Sequence, residues 1–226
     1  MPNFETGNLA LGLIFPYQNP VSDDRLNDWM DENNYNPIVQ DSPRALNIGP
    51  SGLEVEGEEG VGKKDGLRLL YQSSANLNGF PNSSFITIKN TEQIEFDPVI
   101  SDAKSIYSWL DEYIDVDEEI VSRELTIEGL LRVGRDHDLS NYYSGETFDL
   151  LESVGGSSAK GVTVQFESSA KPDSNDWYRI LLDGKSAGNP NLWSMKMTLR
   201  YDDIDEIDQE SVLSSIDELI SHTEEE

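Results

Sequence analysis

Apolar residues recur along this chain at the two spacings that distinguish strands from helices. The first apolar run, Leu9–Phe15, is short enough for a buried strand and lies between Gly7 and Pro16. Later segments alternate apolar and polar residues or are rich in β-branched and aromatic residues, which predicts further strands. These predicted strands are Ala45–Ile48, Leu53–Val55, Leu67–Gln72, Phe85–Lys89, Ile94–Phe96, Glu119–Val133, Gly161–Glu167, Trp177–Leu182 and Leu192–Tyr201. The first two of them flank Gly49–Gly52, whose composition predicts a hairpin turn.

Helical spacing of apolar residues is found in four further segments. Ser22–Asn33 and Ser101–Tyr113 each begin with a residue type that caps helices, and Thr147–Ser153 predicts a short helix. The clearest segment is Gln209–His222, where five large aliphatic residues line one side. This apolar stripe consists of Val212, Leu213, Ile216, Leu219 and Ile220. It predicts that the last helix packs against the sheet or against a neighbouring subunit, because so short a helix is marginal by itself in water.

The order of these elements predicts the fold class. The strands cluster along the chain and do not alternate one by one with helices, as they would in a parallel α/β fold. We therefore expect an α+β fold with a largely antiparallel β-sheet and three or four helices, including an amphipathic C-terminal helix at about 209–222. There is no internal repeat and no long linker, so residues 1–226 are expected to form a single domain.

The composition excludes several kinds of chemistry. The absence of cysteine excludes disulfides, a thiolate nucleophile, Cys-ligated zinc and iron–sulfur clusters. Glu5 stands where a signal peptide needs a basic residue, and no stretch reaches the roughly 20 apolar residues that span a bilayer. These features predict a soluble protein without a membrane contact, located in the cytoplasm or, if the gene is viral, in the virion.

The charge balance is strongly acidic and gives the clearest clue to the origin of the protein. The chain has 16 Lys and Arg against 44 Asp and Glu, a net charge of −28, and only 8 of the bases are Lys. Such acidity is typical either of a protein that binds basic partners or of adaptation to molar salt, which screens like-charge repulsion. Both halves of the chain carry excess acid. This even spread favours salt adaptation and predicts a halophilic archaeon or its virus as the source.

One segment, Gly57–Lys63, has the glycine and lysine spacing of a phosphate-binding loop. Lys64 stands where that motif needs Ser or Thr for Mg²⁺, and Glu58 and Glu59 add negative charge where phosphates would bind. The following Asp65–Gly66 pair is typical of a hairpin turn and not of a helix start. We therefore predict a polar hairpin at this position and no nucleotide cofactor.

A second motif resembles the acidic residues of restriction-type nucleases, but only in its sequence pattern. Pro172–Asp173 is followed by Asp183–Lys185, and acids of this kind must converge on one metal ion. The predicted strand between them is six residues long, so its ends lie roughly 20 Å apart at about 3.3 Å per residue. This distance argues against a shared metal site.

Other candidate ligands are isolated or lack a motif. His137 lies in the acidic segment Arg135–Asp138, and His222 follows the last helix. Asp115–Glu119 and Asp202–Asp205 place carboxylates at alternate positions, as a calcium loop does, but both lack the glycine that such a loop needs at its sixth position. No catalytic, cofactor-binding or metal-binding residue is therefore assigned.

The leading hypothesis is a non-catalytic structural or assembly protein that acts through protein–protein contacts, such as a virion capsid or tail component. Aromatic residues in loop-like contexts, a residue type favoured at interfaces, support it. They are Phe80, Tyr142, Tyr143 and Trp193. One alternative is a carboxylate-based hydrolase or transferase that uses Asp136, His137 and Asp138. Another is an acidic inhibitor or immunity protein that docks on a basic partner.

Nucleic-acid binding through direct phosphate contacts is not expected. The 16 bases are scattered along the chain, and Lys63–Lys64 is their only adjacent pair. The expected partner is therefore another protein or a second copy of this chain.

Overall fold

The computed structural model describes residues 4–38, 45–49, 52–56, 61–77, 80–134, 137–142, 163–184 and 191–222. Within these ranges the chain forms eleven strands, four α-helices and two short 3-10 helices. The α-helices are α1 (Asp23–Glu32), α2 (Phe96–Leu110), α3 (Val116–Glu119) and α4 (Gln209–Ser221), and the 3-10 helices are Leu139–Tyr142 and Ile204–Glu206. The strands are β1 (Phe4–Phe15), β2 (Asn36–Pro37), β3 (Ala45–Gly49), β4 (Gly52–Glu56), β5 (Gly62–Lys64), β6 (Leu67–Leu77), β7 (Phe80–Asn90), β8 (Ser122–Arg132), β9 (Thr163–Glu167), β10 (Tyr178–Asp183) and β11 (Leu192–Tyr201).

Nine of these strands form one antiparallel sheet in the order β2-β5-β6-β7-β1-β8-β11-β10-β9. Strand β1 lies at its centre and pairs with β7 on one side and β8 on the other. Strands β3 and β4 form a separate hairpin in which Gly49 pairs with Gly52, as the turn residues predicted. The antiparallel sheet and the C-terminal helix confirm the predicted α+β class.

The core lies between the sheet and a layer of helices on one of its faces. Successive strand residues point to opposite faces, and in β1 it is Leu9, Leu11 and Leu13 that are fully buried on the helical side. Helix α2 packs on β1 and β7, while α1 adds Trp29 to the same core. Burial of each large aliphatic side chain contributes about 1.5–3 kcal/mol to the free energy of folding. The contact between the sheet and the helices therefore supplies most of the favourable free energy of folding.

The two best-defined helix predictions are confirmed. Helix α1 begins after Ser22, whose hydroxyl accepts a hydrogen bond from the Arg25 backbone N–H at 3.5 Å. Helix α4 ends at Ser221, within one residue of the predicted boundary. Its apolar stripe packs on the chain's own core, with Ile216 fully buried at the centre, and the Tyr142 hydroxyl donates a hydrogen bond to the Leu219 carbonyl oxygen.

The prediction for α2 was wrong at both ends. The helix begins five residues earlier than expected, at Phe96, and Glu95, not Ser101, is its N-cap. The predicted strand Ile94–Phe96 is therefore absent from this part of the described chain. Phe96 is buried and anchors the first turn, where Pro98 is tolerated because its missing N–H has no helical partner there.

The long strand predicted at Glu119–Val133 begins later, at Ser122. Residues Val116–Glu119 instead form α3, which is capped by the Asp115 carboxylate. Other predictions differ less: β10 begins one residue later than expected, and β1, β6 and β7 are longer than expected. The predicted helix Thr147–Ser153 and the first two residues of the predicted strand Gly161–Glu167 lie outside the described residues. No helix among the described residues is long and apolar enough to span a membrane.

Candidate functional site

The sheet has a second face that carries no helix in the described part of the chain. We call it the open face. Because successive side chains of a strand point to opposite faces, the strand positions show which residues lie on the open face. Leu67 and Leu69 are buried beneath the helices, so Arg68 between them points to the open face. Leu70 of β6 and Phe85 of β7 are half-buried on this face. The open face is thus a mixture of apolar and charged side chains.

Three bases lie side by side on the open face. Lys63 of β5 is directly opposite Arg68 of β6, which is directly opposite Lys89 of β7. Directly opposed residues in antiparallel strands have Cβ atoms about 5 Å apart, and like charges at that spacing are destabilising. We call these three residues the basic row. The sequence spacing did not reveal this row, because only strand pairing brings the three residues together.

Elsewhere on the open face, bases form ion pairs with acids across neighbouring strands. Arg200 of β11 lies 2.9 Å from Glu124 of β8, with its guanidinium 4.5 Å from the ring centroid of Trp177. Lys196 forms an ion pair with Glu128 in the same two strands. Burial alone would raise the pKa of Glu128, but the hydrogen bond and charge of Lys196, the charge of Lys89 and a hydrogen bond with Asn8 together hold that pKa below its usual range.

Charge is segregated between the two layers of the molecule. The α-helices and 3-10 helices, which we call the helical layer, contain 15 Asp and Glu against 2 Lys and Arg, a net of −13. The strands of the nine-stranded sheet contain 9 Lys and Arg against 5 Asp and Glu, a net of +4. In a chain with a net charge of −28, the sheet is therefore locally positive.

The acidic segments seen in the sequence act mainly as helix caps. The Asp115 carboxylate accepts a hydrogen bond from the Glu118 backbone N–H at 3.4 Å, and Asp203 forms a capping box with Glu206. Asp208 caps α4 in the same way through Glu210 at 3.1 Å. Carboxylates at these positions satisfy backbone donors and interact favourably with the helix dipole. Among the described residues, no group of three His, Asp or Glu is placed to hold a metal ion.

Three of these acidic motifs nevertheless converge on one cleft of about 660 Å³. Asp117 from α3, Asp173 from the loop before β10 and Asp202 after β11 all line it. Arg123 is buried at this cleft and donates a hydrogen bond at 3.2 Å to the Tyr107 hydroxyl, which in turn donates to Asp117. The fold therefore brings together acids that are up to 85 residues apart in the sequence.

The apparent phosphate loop is built as a hairpin where the structure describes it. Gly62 begins strand β5, and a Cβ at this position would lie 2.5 Å from the sulfur of Met30, so the Met30 side chain would have to move to admit a larger residue. Asp65 and Gly66 both have positive φ values, 44° and 82°, as a two-residue hairpin turn requires. Residues 57–60 of this motif lie outside the described part of the chain.

Lys64, at the position of the missing hydroxyl, forms an ion pair within the fold. Its Nζ donates to Asp102 of α2 at 3.0 Å, and the Tyr35 hydroxyl donates to the same carboxylate at 2.9 Å. Burial first, and then the charge of Asp102, raise the pKa of Tyr35 far above its usual range. The cluster therefore joins β5 to α2.

The remaining candidate residues do not form a common site. Asp183 ends strand β10, whereas Asp173 lies before that strand begins, so the strand separates the two acids of the nuclease-like motif. The His137 ring meets Trp193 edge-on at 6.1 Å, while Arg135 and Asp136 lie outside the described residues. His222 is exposed at the C-cap of α4.

Of the aromatic residues expected at interfaces, Trp193 is buried in the core and Tyr142 packs edge-on against Phe166 at 5.0 Å. Tyr143 and the side chain of Phe80 lie outside the described residues. Comparisons with family models, curated proteins and solved structures found no match to this chain.

Proposed function

We propose that this chain is a non-catalytic structural or assembly protein that associates with further copies of itself in concentrated salt. The observation that carries the proposal is the segregation of charge, with −13 in the helical layer and +4 in the strands of the sheet. The basic row of one copy is complementary in charge to the helical layer of the next. Leu70 and Phe85 lie beside that row and add apolar area to the contact.

The two surfaces of this contact differ, so the proposed association is head-to-tail. A head-to-tail contact that does not close into a ring generates an open chain of subunits. This geometry suits a component of a larger assembly such as a virion capsid or tail. The proposed source is a halophilic archaeon or its virus, and the proposed location is the cytoplasm or, for a viral gene, the virion.

Concentrated salt favours this contact because it screens the long-range repulsion between two acidic copies and leaves the attraction between charges in direct contact. Two copies that each carry −28 repel one another over long distances when salt is low. At about 1 M salt the Debye length falls to about 3 Å, so that repulsion is screened. Charges in direct contact, such as Arg68 against a carboxylate of the helical layer, still attract.

Sedimentation velocity in about 2 M KCl tests the proposal. We expect the average mass of the parent protein to rise with protein concentration. Arg68→Glu reverses the centre of the basic row and should weaken the association by about tenfold or more, since close charge pairs at interfaces are worth 1.5 kcal/mol or more. Lys171→Glu, which makes the same charge change at an exposed loop position outside the row, should leave the association unchanged.

Two results would overturn this function. One is a parent protein that stays monomeric at every concentration in high salt. The other is binding of duplex DNA to the parent with loss of binding in Arg68→Glu, because the basic row would then contact a nucleic acid and not a second copy.

A further inference from the structure

A groove runs between helix α4 and the last three strands of the sheet, and we infer that it binds a small organic cation, an ammonium group carried on an apolar body. Its volume is about 500 Å³, which is within the range of sites for small molecules. It lies on the helical side of the sheet and is therefore separate from the basic row. The inference does not depend on the proposed self-association.

The floor and walls of the groove are apolar. Ile180, Met197 and Leu199 from β10 and β11 form the floor, and Val212 and Leu219 of α4 form a wall. These side chains belong to the layer contact between sheet and helix, so the groove is preformed by the fold. An apolar ligand body gains from leaving water here in proportion to the area that it buries.

Three aromatic residues also line the groove: Phe166, Tyr178 and Tyr201. Tyr178 is 41% exposed, which is unusual because only one other large hydrophobic residue in the described chain, Tyr113, is equally exposed. Aromatic faces attract organic cations through the ring quadrupole, with about 0.5–2 kcal/mol for each well-placed contact. This preference separates cations from neutral or anionic ligands of the same shape.

The charge at the groove is negative. Glu218 contributes a carboxylate, and among the described residues that line the groove His222 is the one basic side chain, with neither Lys nor Arg present. Burial raises the pKa of Tyr201, and the nearby carboxylates of Asp208 and Glu206 raise it further. An anionic ligand would therefore be repelled, and a cationic one attracted.

Three polar groups of the groove are available to a ligand, whereas the hydroxyls of Ser211 and Ser215 already donate hydrogen bonds within the fold. Within the described chain, the Glu218 carboxylate and the hydroxyls of Tyr178 and Tyr201 make no hydrogen bond, and Glu218 makes no ion pair. A groove with an apolar floor, aromatic rings and one unpaired carboxylate has the components with which proteins recognise substituted ammonium ions.

Isothermal titration calorimetry with three benzyl compounds tests this inference. Benzyltrimethylammonium carries the cation, benzyl alcohol is its neutral counterpart, and benzylsulfonate carries the opposite charge on the same body. We expect only the cation to bind measurably. Glu218→Gln and Tyr178→Ala should each weaken its binding by about fivefold or more, consistent with the loss of a cation–π or carboxylate contact.

Two control variants match these substitutions. Glu210→Gln removes an exposed carboxylate of α4 that does not line the groove, and Tyr113→Ala removes the other exposed aromatic ring. Both should bind the cation as the parent does. The inference fails if benzylsulfonate or benzyl alcohol binds as well as the cation, if all four variants bind alike, or if none of the three compounds binds.

Discussion

Lys64 lies 3.0 Å from Asp102, and this ion pair ties strand β5, the second strand from one edge of the sheet, to helix α2. The same carboxylate accepts the hydroxyl hydrogen bond of Tyr35, which is almost completely buried. Asp102→Ala should therefore lower the free energy of unfolding by about 1–3 kcal/mol, because the Tyr35 hydroxyl loses its acceptor in a buried site. Denaturant unfolding measures this change. Asp28→Ala removes the same charge at an exposed position of α1 and should have little effect.

The hairpin of which Lys64 is part is also expected to bind no nucleotide. A strand and a tight turn follow Gly62, so no helix N-terminus faces a phosphate among the described residues, and Lys64 is already paired. Equilibrium binding with labelled ATP and GTP should detect no micromolar affinity. Binding that disappears in Lys63→Ala would contradict this prediction.

Helix α4 should contribute strongly to stability through Ile216. This residue is fully buried beneath the helix, so Ile216→Asp places a charge in an apolar contact and should cost several kcal/mol or abolish folding. Thermal unfolding and mass in high salt measure the outcome. Glu218→Gln, an exposed position on the same helix, should unfold like the parent. Equal behaviour of the two variants would show that α4 is not docked.

Salt should stabilise the fold steeply. The helical layer holds 15 acids against 2 bases, and their repulsion is screened as KCl rises from about 0.1 M to 2 M. The thermal unfolding midpoint should rise over that range. Combining Asp28→Asn with Glu32→Gln in α1 should raise the midpoint at low salt and have little effect at high salt. A flat or falling midpoint for the parent would remove the argument for salt adaptation.

The pair of Glu128 and Lys196 should make stability depend on pH in the acid range. The pKa of Glu128 is lowered in the folded protein, so its contribution is fully present above the usual glutamate pKa of about 4.3 and is lost as the pH falls through the folded value. Glu128→Gln should therefore be less stable than the parent near neutral pH. The difference should shrink as the pH is lowered below about 4.

Glu32→Gln, at an exposed position, should show no comparable change with pH. A Glu128→Gln deficit that persists undiminished at the acid end would contradict the assignment.

The sequence by itself determined the elements whose signals are local. The apolar stripe of α4, the serine cap of α1 and the Asp65–Gly66 turn each depend on residues within a few positions of one another, and each was predicted correctly. The start of α2 was not, because Phe96 is held in the helix by burial against the sheet, which a local cap signal does not contain.

Only the tertiary structure decided which distant side chains meet. Lys63, Arg68 and Lys89 form the basic row because antiparallel pairing sets the register of three strands, and a shift of one residue would turn Arg68 towards the core. The groove beside α4 likewise depends on how far the helix lies from β9, β10 and β11. Charge can be counted along a chain, but the placement of three bases side by side on one face of the sheet follows only from strand pairing.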